Sequence, residues 1–265
     1  MRINHKAIAL LLLAFTVGSV HAASQQGGDT ADVLIGKDND NTANAVIQPN
    51  SPPPNQSLNN ADIIEGNSGN DVLIGLLGND VLLCGAGDDV AIGGTEQFDD
   101  TAVNGGGPFG NKDVIDGGSG NDTNIWAPGD GSDAFNGGEG DKDAQVFGVV
   151  DRDANNVPIV KDAGGVYDRL PTADVTGSPG FCRLERLSAE NSEALGFDFL
   201  VRFFVRATGN LAVTIRLKDT EQVFCTSEAG GEITYANLLD TNPAFIVIPL
   251  TDVNGLNPTV AQIIR

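Results

Sequence analysis

Short aliphatic runs recur along the first half of the chain, each placed directly after an aspartate. Residues 66–74 read GNSGNDVLI, 75–83 read GLLGNDVLL and 84–92 read CGAGDDVAI. Asp62, Asp71, Asp80 and Asp89 are spaced nine apart without a slip. Residues 113–122 (DVIDGGSGND) echo 62–71 (DIIEGNSGND), and weaker copies follow at 131–133 and 137–141. An isolated DVLIG at 32–36 is an outlying copy. Fixed-period self-similarity is the mark of a repeat architecture. The three residues after each Asp are expected to be extended with the middle one pointing inward. Leu73, Leu82, Ile64, Ile115 and Phe135 then stack as a thin core. One nine-residue unit is half a coil, so turns on one edge come from every second repeat. Asp62 is therefore expected beside Asp80, and Asp71 beside Asp89.

The second half follows a different pattern. Phe199, Val201, Phe203 and Val205 alternate with more polar positions, as do Leu211, Val213, Ile215 and Leu217. This predicts strands over 197–207 and 211–218 joined by a three-residue turn at 208–210. In that register Val205 faces Val213, Phe203 faces Ile215 and Arg202 lies opposite Arg216. Further strands are expected at 181–187, 222–225, 232–235 and 244–250, together making a small antiparallel sandwich.

Composition sharpens the division. The chain of 265 residues has a net charge of −21. Residues 24–147 hold 18 Asp, 3 Glu and 3 Lys, a net of −18, while 148–265 carry only −5. Glycine divides 23 against 10 between the same segments. Asp beside Gly means short carboxylates on tight turns, an arrangement suited to hard cations. Glycines also permit φ > 0, which lets carbonyl oxygens turn toward one point. So acidic a chain is not expected to bind nucleic acid.

The N-terminus has the form of a secretory signal over residues 1–22: Arg2 and Lys6, an apolar run over 7–17, and small residues at Val20 and Ala22. No later stretch is apolar enough to span a bilayer, so a soluble, exported protein is expected, secreted or at the cell surface, with the periplasm as another address. Both histidines, His5 and His21, lie in the segment that would be removed. The mature chain then has no imidazole for a Ser-His-Asp triad, a Cys-His pair or a His-ligated zinc. Residues 23–60 are expected to hold an N-terminal strand and a linker rich in Pro and Asn. The repeats occupy 61–147 and the antiparallel part 148–265. Cys182 and Cys225 bracket the later strands and are expected to form a disulfide in an oxidising compartment. Cys84 is then left as a small buried residue in place of a glycine.

The nine-residue pattern resembles the repeats-in-toxin (RTX) calcium-binding family, whose consensus is G-G-x-G-x-D-x-U-x. The resemblance covers about residues 57–147. It implies an all-β fold: a parallel β-roll of nine-residue repeats, here followed by the small antiparallel β-sandwich-like domain. It also implies several Ca²⁺ ions held between successive turns. The positions matching the motif are Asp62, Gly66, Gly69, Asp71, Gly75, Gly78, Asp80, Gly85, Gly87, Asp89, Asp113, Gly118, Gly120, Asp122 and Asp133. Asn67 and Leu76 stand where the family has its second glycine, and Cys84 where it has its first. Asn124 replaces an inward aliphatic.

The function expected from these features is that of an exported, non-enzymatic calcium-binding protein that folds on Ca²⁺ outside the cytoplasm as a surface, adhesion or matrix component. No catalytic residue is assigned. The competing class is a secreted carbohydrate-active enzyme or glycan-binding protein with an accessory roll, since paired carboxylates hydrolyse glycosides without histidine. The partner classes are calcium and a glycan or cell-surface component. A second calcium candidate is the loop starting at Asp151, with Asp153, Asn155 and Asp162 at EF-hand-like positions. Flanking apolar pairs at 149–150 and 159–160 favour a β-hairpin there.

Overall fold

The computed structural model describes residues 23–36, 62–76, 79–94, 112–154, 157–162 and 169–265. The expected signal segment, nearly all of the linker, and Gly78 lie outside the described residues. Among the described residues the fold is all-β apart from three short helices, with mostly parallel sheets and an antiparallel region near the C-terminus.

Successive strands alternate between two open eight-stranded sheets. The first sheet contains β1 (Ala23–Gln26), β3 (Asp62–Ser68), β5 (Val81–Ala86), β7 (Val114–Ser119) and β9 (Ala134–Glu139) as parallel neighbours. The second contains β2 (Val33–Ile35), β4 (Val72–Leu76), β6 (Val90–Gly94), β8 (Thr123–Trp126) and β10 (Ala144–Phe147). The DVLIG segment thus supplies the strand that pairs with β4, in register Leu34 to Leu73.

Residues at matching repeat positions stack. Ile64, Leu82, Ile115 and Phe135 are paired in one ladder and are fully or almost fully buried. They share a core with Leu73, Ala91, Trp126 and Phe147 of the second sheet. Asn124 fits this interior because its side-chain amide donates to Gln145 Oε1 at 2.9 Å on the adjacent strand. Buried polar groups are tolerated when paired in this way.

Strands β4 and β6 read as nearly continuous apolar runs because both of their faces are covered. Val72, Ile74, Val90, Ile92, Ile125 and Val146 form a second core with Val150, Leu170 and Val175. Two C-terminal helices, Leu250–Leu256 and Pro258–Ile263, add Val253, Val260 and Ile263 to it. The odd-numbered strands alternate buried and partly exposed positions, so only one face is covered. A sheet with one wet face shows that alternation.

After two short antiparallel pairs, β11 (Val149–Val150) with β14 (Ala173–Asp174) and β12 (Val160–Asp162) with β13 (Arg169–Pro171), the later strands extend both repeat sheets instead of building a sandwich of their own. In the first sheet β17 (Leu211–Lys218) pairs in parallel with β9, then β16 (Phe199–Val205) and β15 (Gly180–Arg186) follow antiparallel. In the second, β18 (Gln222–Thr226) pairs in parallel with β10, followed by β19 (Ile233–Asn237) and β20 (Ile246–Ile248). The physical reason is that the last coil leaves two unpaired strand edges, and the apolar faces of β17 and β18 continue the same core.

The hairpin register is also corrected. Phe203 faces Val213, Val201 faces Ile215 and Arg202 faces Thr214, with an irregularity between Phe203 and Phe204. The slip of two residues keeps Val201, Phe203, Val213 and Ile215 on the buried face, because the strand period is two, while Leu211 beyond the irregularity is exposed. Arg202 lies beside Arg183 of β15, and its guanidinium pairs with Glu185. Cys182 and Cys225 form a disulfide with Cα atoms 6.2 Å apart, joining β15 to β18 across the two sheets. Cys84 is free and buried.

Candidate metal centre

Each turn between repeat strands ends on an aspartate whose carboxylate points back into the stack. The backbone N–H of one such residue donates to the carboxylate of its counterpart one coil further on. On one edge Asp62 donates to Asp80 Oδ1 at 2.7 Å, Asp80 to Asp113 Oδ1 at 2.7 Å, and Asp113 to Asp133 Oδ1 at 2.9 Å. On the other edge Asp32 donates to Asp71 Oδ1 at 2.7 Å, Asp71 to Asp89 at 2.7 Å, Asp89 to Asp122 at 2.8 Å, and Asp122 to Asp143 at 2.7 Å. The expected partnerships of Asp62 with Asp80 and Asp71 with Asp89 are therefore present. From Asp62 to Asp143 these aspartates are at most 2 % exposed.

One oxygen of each carboxylate makes the ladder bond. The second, Oδ2, is buried without a hydrogen-bond partner in Asp71, Asp89, Asp113, Asp122 and Asp143. A buried charged oxygen left in this way is costly unless something positive meets it. The surrounding backbone closes in on the same atoms. A Cβ added to Gly66 would stand 2.6 Å from Asp71 Oδ2 and 2.2 Å from the Cys84 carbonyl oxygen. One added to Gly117 would stand 2.4 Å from Asp122 Oδ2 and 2.5 Å from the Gly137 carbonyl. Gly75 is as close to Asp80 Oδ2 and the Gly93 carbonyl. Carboxylate and carbonyl oxygens thus converge where glycine keeps the space clear, a donor set suited to Ca²⁺.

The predicted glycines act on the backbone. Gly69, Gly85, Gly87, Gly118 and Gly120 all have φ between 99° and 140°. Asn67 and Leu76, standing where the family has its second glycine, still adopt φ 75°. The turn demands that conformation whatever the residue.

Burial dominates the electrostatics. It pushes the Asp89 carboxyl up to about 7, Asp122 up to about 8 and Asp143 up to about 7, with neighbouring carboxylates adding to the shift. Asp71 is raised for the same reason. Asp113 and Asp133 lie well above the ordinary carboxylate range, first through burial and then through the adjoining charges.

Asp113 and Asp133 meet a third buried carboxylate, Asp130, with ligand oxygens of all three within 4.8 Å of one another. Asp130 lies in the turn between β8 and β9 and accepts from Gly94 N–H at 3.0 Å and Gly131 N–H at 2.9 Å. Sequence reasoning missed it because it precedes the expected aspartate by three residues, at a position whose side chain is variable in the motif. Asp143 was also missed. The copy at 137–141 ends on Asp141, but Asp141 stands at the place of Asn121 and is exposed, and one additional residue, Lys142, precedes the buried Asp143.

The loop at Asp151 does not form a comparable site. Its carboxylate is engaged by Lys161 at 3.0 Å, by Thr172 and by Arg265, contacts that hold its pKa below the usual value. Asn155 and Asn156 lie outside the described residues, and an antiparallel bridge from Arg152 to Pro158 makes the segment a hairpin.

Residues 58–94 and 110–123 match the profile of the RTX calcium-binding nonapeptide repeat in four copies. No curated protein and no solved structure matches the chain. Both the profile and the aspartate ladders lead to one assignment: the chain carries a hemolysin-type RTX calcium-binding nonapeptide repeat over residues 58–123.

Proposed function

We propose that the chain is an exported, non-enzymatic calcium-binding protein whose repeats wind into a β-roll as ions enter between successive turns. It acts at or outside the cell surface, as an adhesion or matrix component. The observation that carries this reading is the set of buried aspartate oxygens without hydrogen-bond partners, a row at Asp71, Asp89, Asp122 and Asp143 on one edge together with Asp113 on the other. Asp71, Asp89 and Asp122 on one edge, and Asp80, Asp113, Asp130 and Asp133 on the other, are the carboxylates that would hold the ions. Glycine carbonyls would complete the oxygen shell.

The charge supports coupling of binding to folding. A segment with a net of −18 and a core one side chain thick repels itself when its carboxylates ionise. Calcium neutralises them, so the binding free energy becomes folding free energy. Extracellular calcium modules bind with Kd on the order of 10⁻⁴–10⁻³ M, which suits folding after export from a compartment low in calcium. Far-UV circular dichroism in EGTA, followed by millimolar Ca²⁺, tests the proposal. Strand signal should appear on calcium addition and vanish on chelation. An identical spectrum and melting temperature in both states would reject it.

A further inference from the structure

The second-edge ladder does not stop at the last repeat. Asp143 N–H donates to Glu221 Oε2 at 2.8 Å, repeating the bond that Asp122 N–H makes to Asp143 Oδ1 at 2.7 Å. Glu221 stands 78 residues further along the chain. The register explains the match: Gln222 pairs with Ala144, as Ala144 pairs with Thr123, so Glu221 occupies the place of the next aspartate. The link from β17 to β18 is shorter than a nonapeptide turn, and glutamate supplies the extra methylene to reach Asp143.

The backbone of this link imitates a repeat turn as well. A Cβ on Gly137 would stand 2.2 Å from the Asp219 carbonyl oxygen, just as one on Gly117 would stand 2.5 Å from the Gly137 carbonyl. Asp219 itself adopts φ 42°, a positive value like those at the repeat glycines. Asp143 is fully buried, and its Oδ2 has no hydrogen-bond partner. A Cβ on Gly140 would lie 2.6 Å from that oxygen and 2.2 Å from the Gly120 carbonyl oxygen, and one on Gly137 would lie 2.7 Å from the Asp143 carboxyl carbon, so glycines keep the space around this carboxylate clear. Two nearby cations are engaged elsewhere: Lys218 Nζ pairs with the Asp219 carboxylate at 3.2 Å and Asp198 at 3.7 Å, and Arg186 donates to the Leu238 and Asp240 carbonyls at 2.8 Å and 2.7 Å. A cleft of about 570 Å³ lined by Arg186, Ser192, Asp198, Asp219 and Glu221 opens beside the step and gives access from solvent.

We propose that Asp143, Glu221 and the Asp219 carbonyl form a further divalent-cation site, built jointly by the last repeat and the antiparallel region. The proposal rests on the calcium reading of the ladder and extends it beyond the residues that match the repeat. An ion there would fasten β17 and β18 to the stack, so that the antiparallel region acquires its order from the same metal.

The experiment compares the purified full chain with Glu221→Gln. Glutamine keeps an oxygen acceptor for Asp143 N–H but removes the charge. Calcium stoichiometry by titration calorimetry and by elemental analysis after dialysis should fall by one ion, and the remaining sites should keep their affinity. Hydrogen exchange should show that residues 211–237 lose their calcium-dependent protection while residues 62–94 keep theirs. Glu221→Asp, which keeps the charge but withdraws it by one methylene, should weaken that single site at least tenfold and leave the fold intact. An unchanged ion count and unchanged protection in Glu221→Gln would overturn the inference. A wild-type chain that binds no calcium would instead overturn the calcium reading, so the two failures are distinct.

Discussion

Gly87 occupies a point where a side chain has no room: a Cβ there would stand 1.7 Å from the Gly69 carbonyl oxygen, at φ 140°. Strain and overlap of this kind cost about 2–4 kcal/mol. Gly87→Ala should therefore lower the unfolding free energy of the calcium-loaded protein by that amount, read from urea unfolding at saturating Ca²⁺. A change within about 0.5 kcal/mol would mean that the turn relaxes freely. The glycines could be picked out beforehand because the motif repeats them. Asp130 could not, since its position in the motif is variable and only the Gly94 and Gly131 N–H groups hold it inward, beside two neighbouring carboxylates.

At the scale of strands, the fixed nine-residue spacing was sufficient to predict which residues stack and which aspartates share an edge. It was not sufficient to show why Val72-Leu73-Ile74 is apolar throughout. That run serves two cores, with Leu73 facing the first sheet and Val72 and Ile74 facing the helices and Val150. The three helices escaped sequence reasoning because each is only six or seven residues long, too short to display a periodic face. One of them, Ala189–Leu195, is delimited instead by local chemistry: Ser188 accepts from Asn191 N–H, and Gly196 ends it at φ 76°. The disulfide ties strands of opposite sheets across a sequence separation of 43. A closed loop of that size is worth about 2–4 kcal/mol, so a Cys182→Ser/Cys225→Ser double variant should melt earlier under non-reducing conditions. Identical melting of the variant and the native protein would show that the sheets need no covalent tie. An aromatic cluster adds to the same junction, with Trp126 and Phe147 of the repeat strands 4.7 Å and 5.8 Å from Phe203 of β16.

For the molecule as a whole, the buried ladders set an unusual dependence on pH. A carboxyl whose folded pKa is raised favours the fold when protonated. Its contribution is fully present below the unfolded value of about 4 and is lost as pH rises through the folded value. With Asp89 and Asp143 near 7 and Asp122 near 8, the loss extends across neutrality. In EGTA the strand signal and any melting temperature should therefore be highest near about pH 5 and fall away by about pH 8.5. With millimolar Ca²⁺ present the fall should be much smaller, because the ion replaces the proton. Differential scanning calorimetry over that range decides it, and a calcium-free protein that grows more stable with rising pH would contradict the ladder electrostatics. The repeated Asp-Gly turns and the inward aliphatics were open to inference from local chemistry alone, because each residue's role recurs every nine positions and depends only on its own half-coil. The joining of the antiparallel strands to the same two sheets, the entry of Asp130 and Asp143 into the ladders, and the alignment of Glu221 above Asp143 depend on contacts between residues distant in sequence, 36 positions apart for Gly94 and Asp130, 78 for Asp143 and Glu221 and 82 for Ser132 and Thr214. No local pattern records those contacts. They arise because the last coil offers two open edges and an uncovered core, and the remaining chain folds so as to close both.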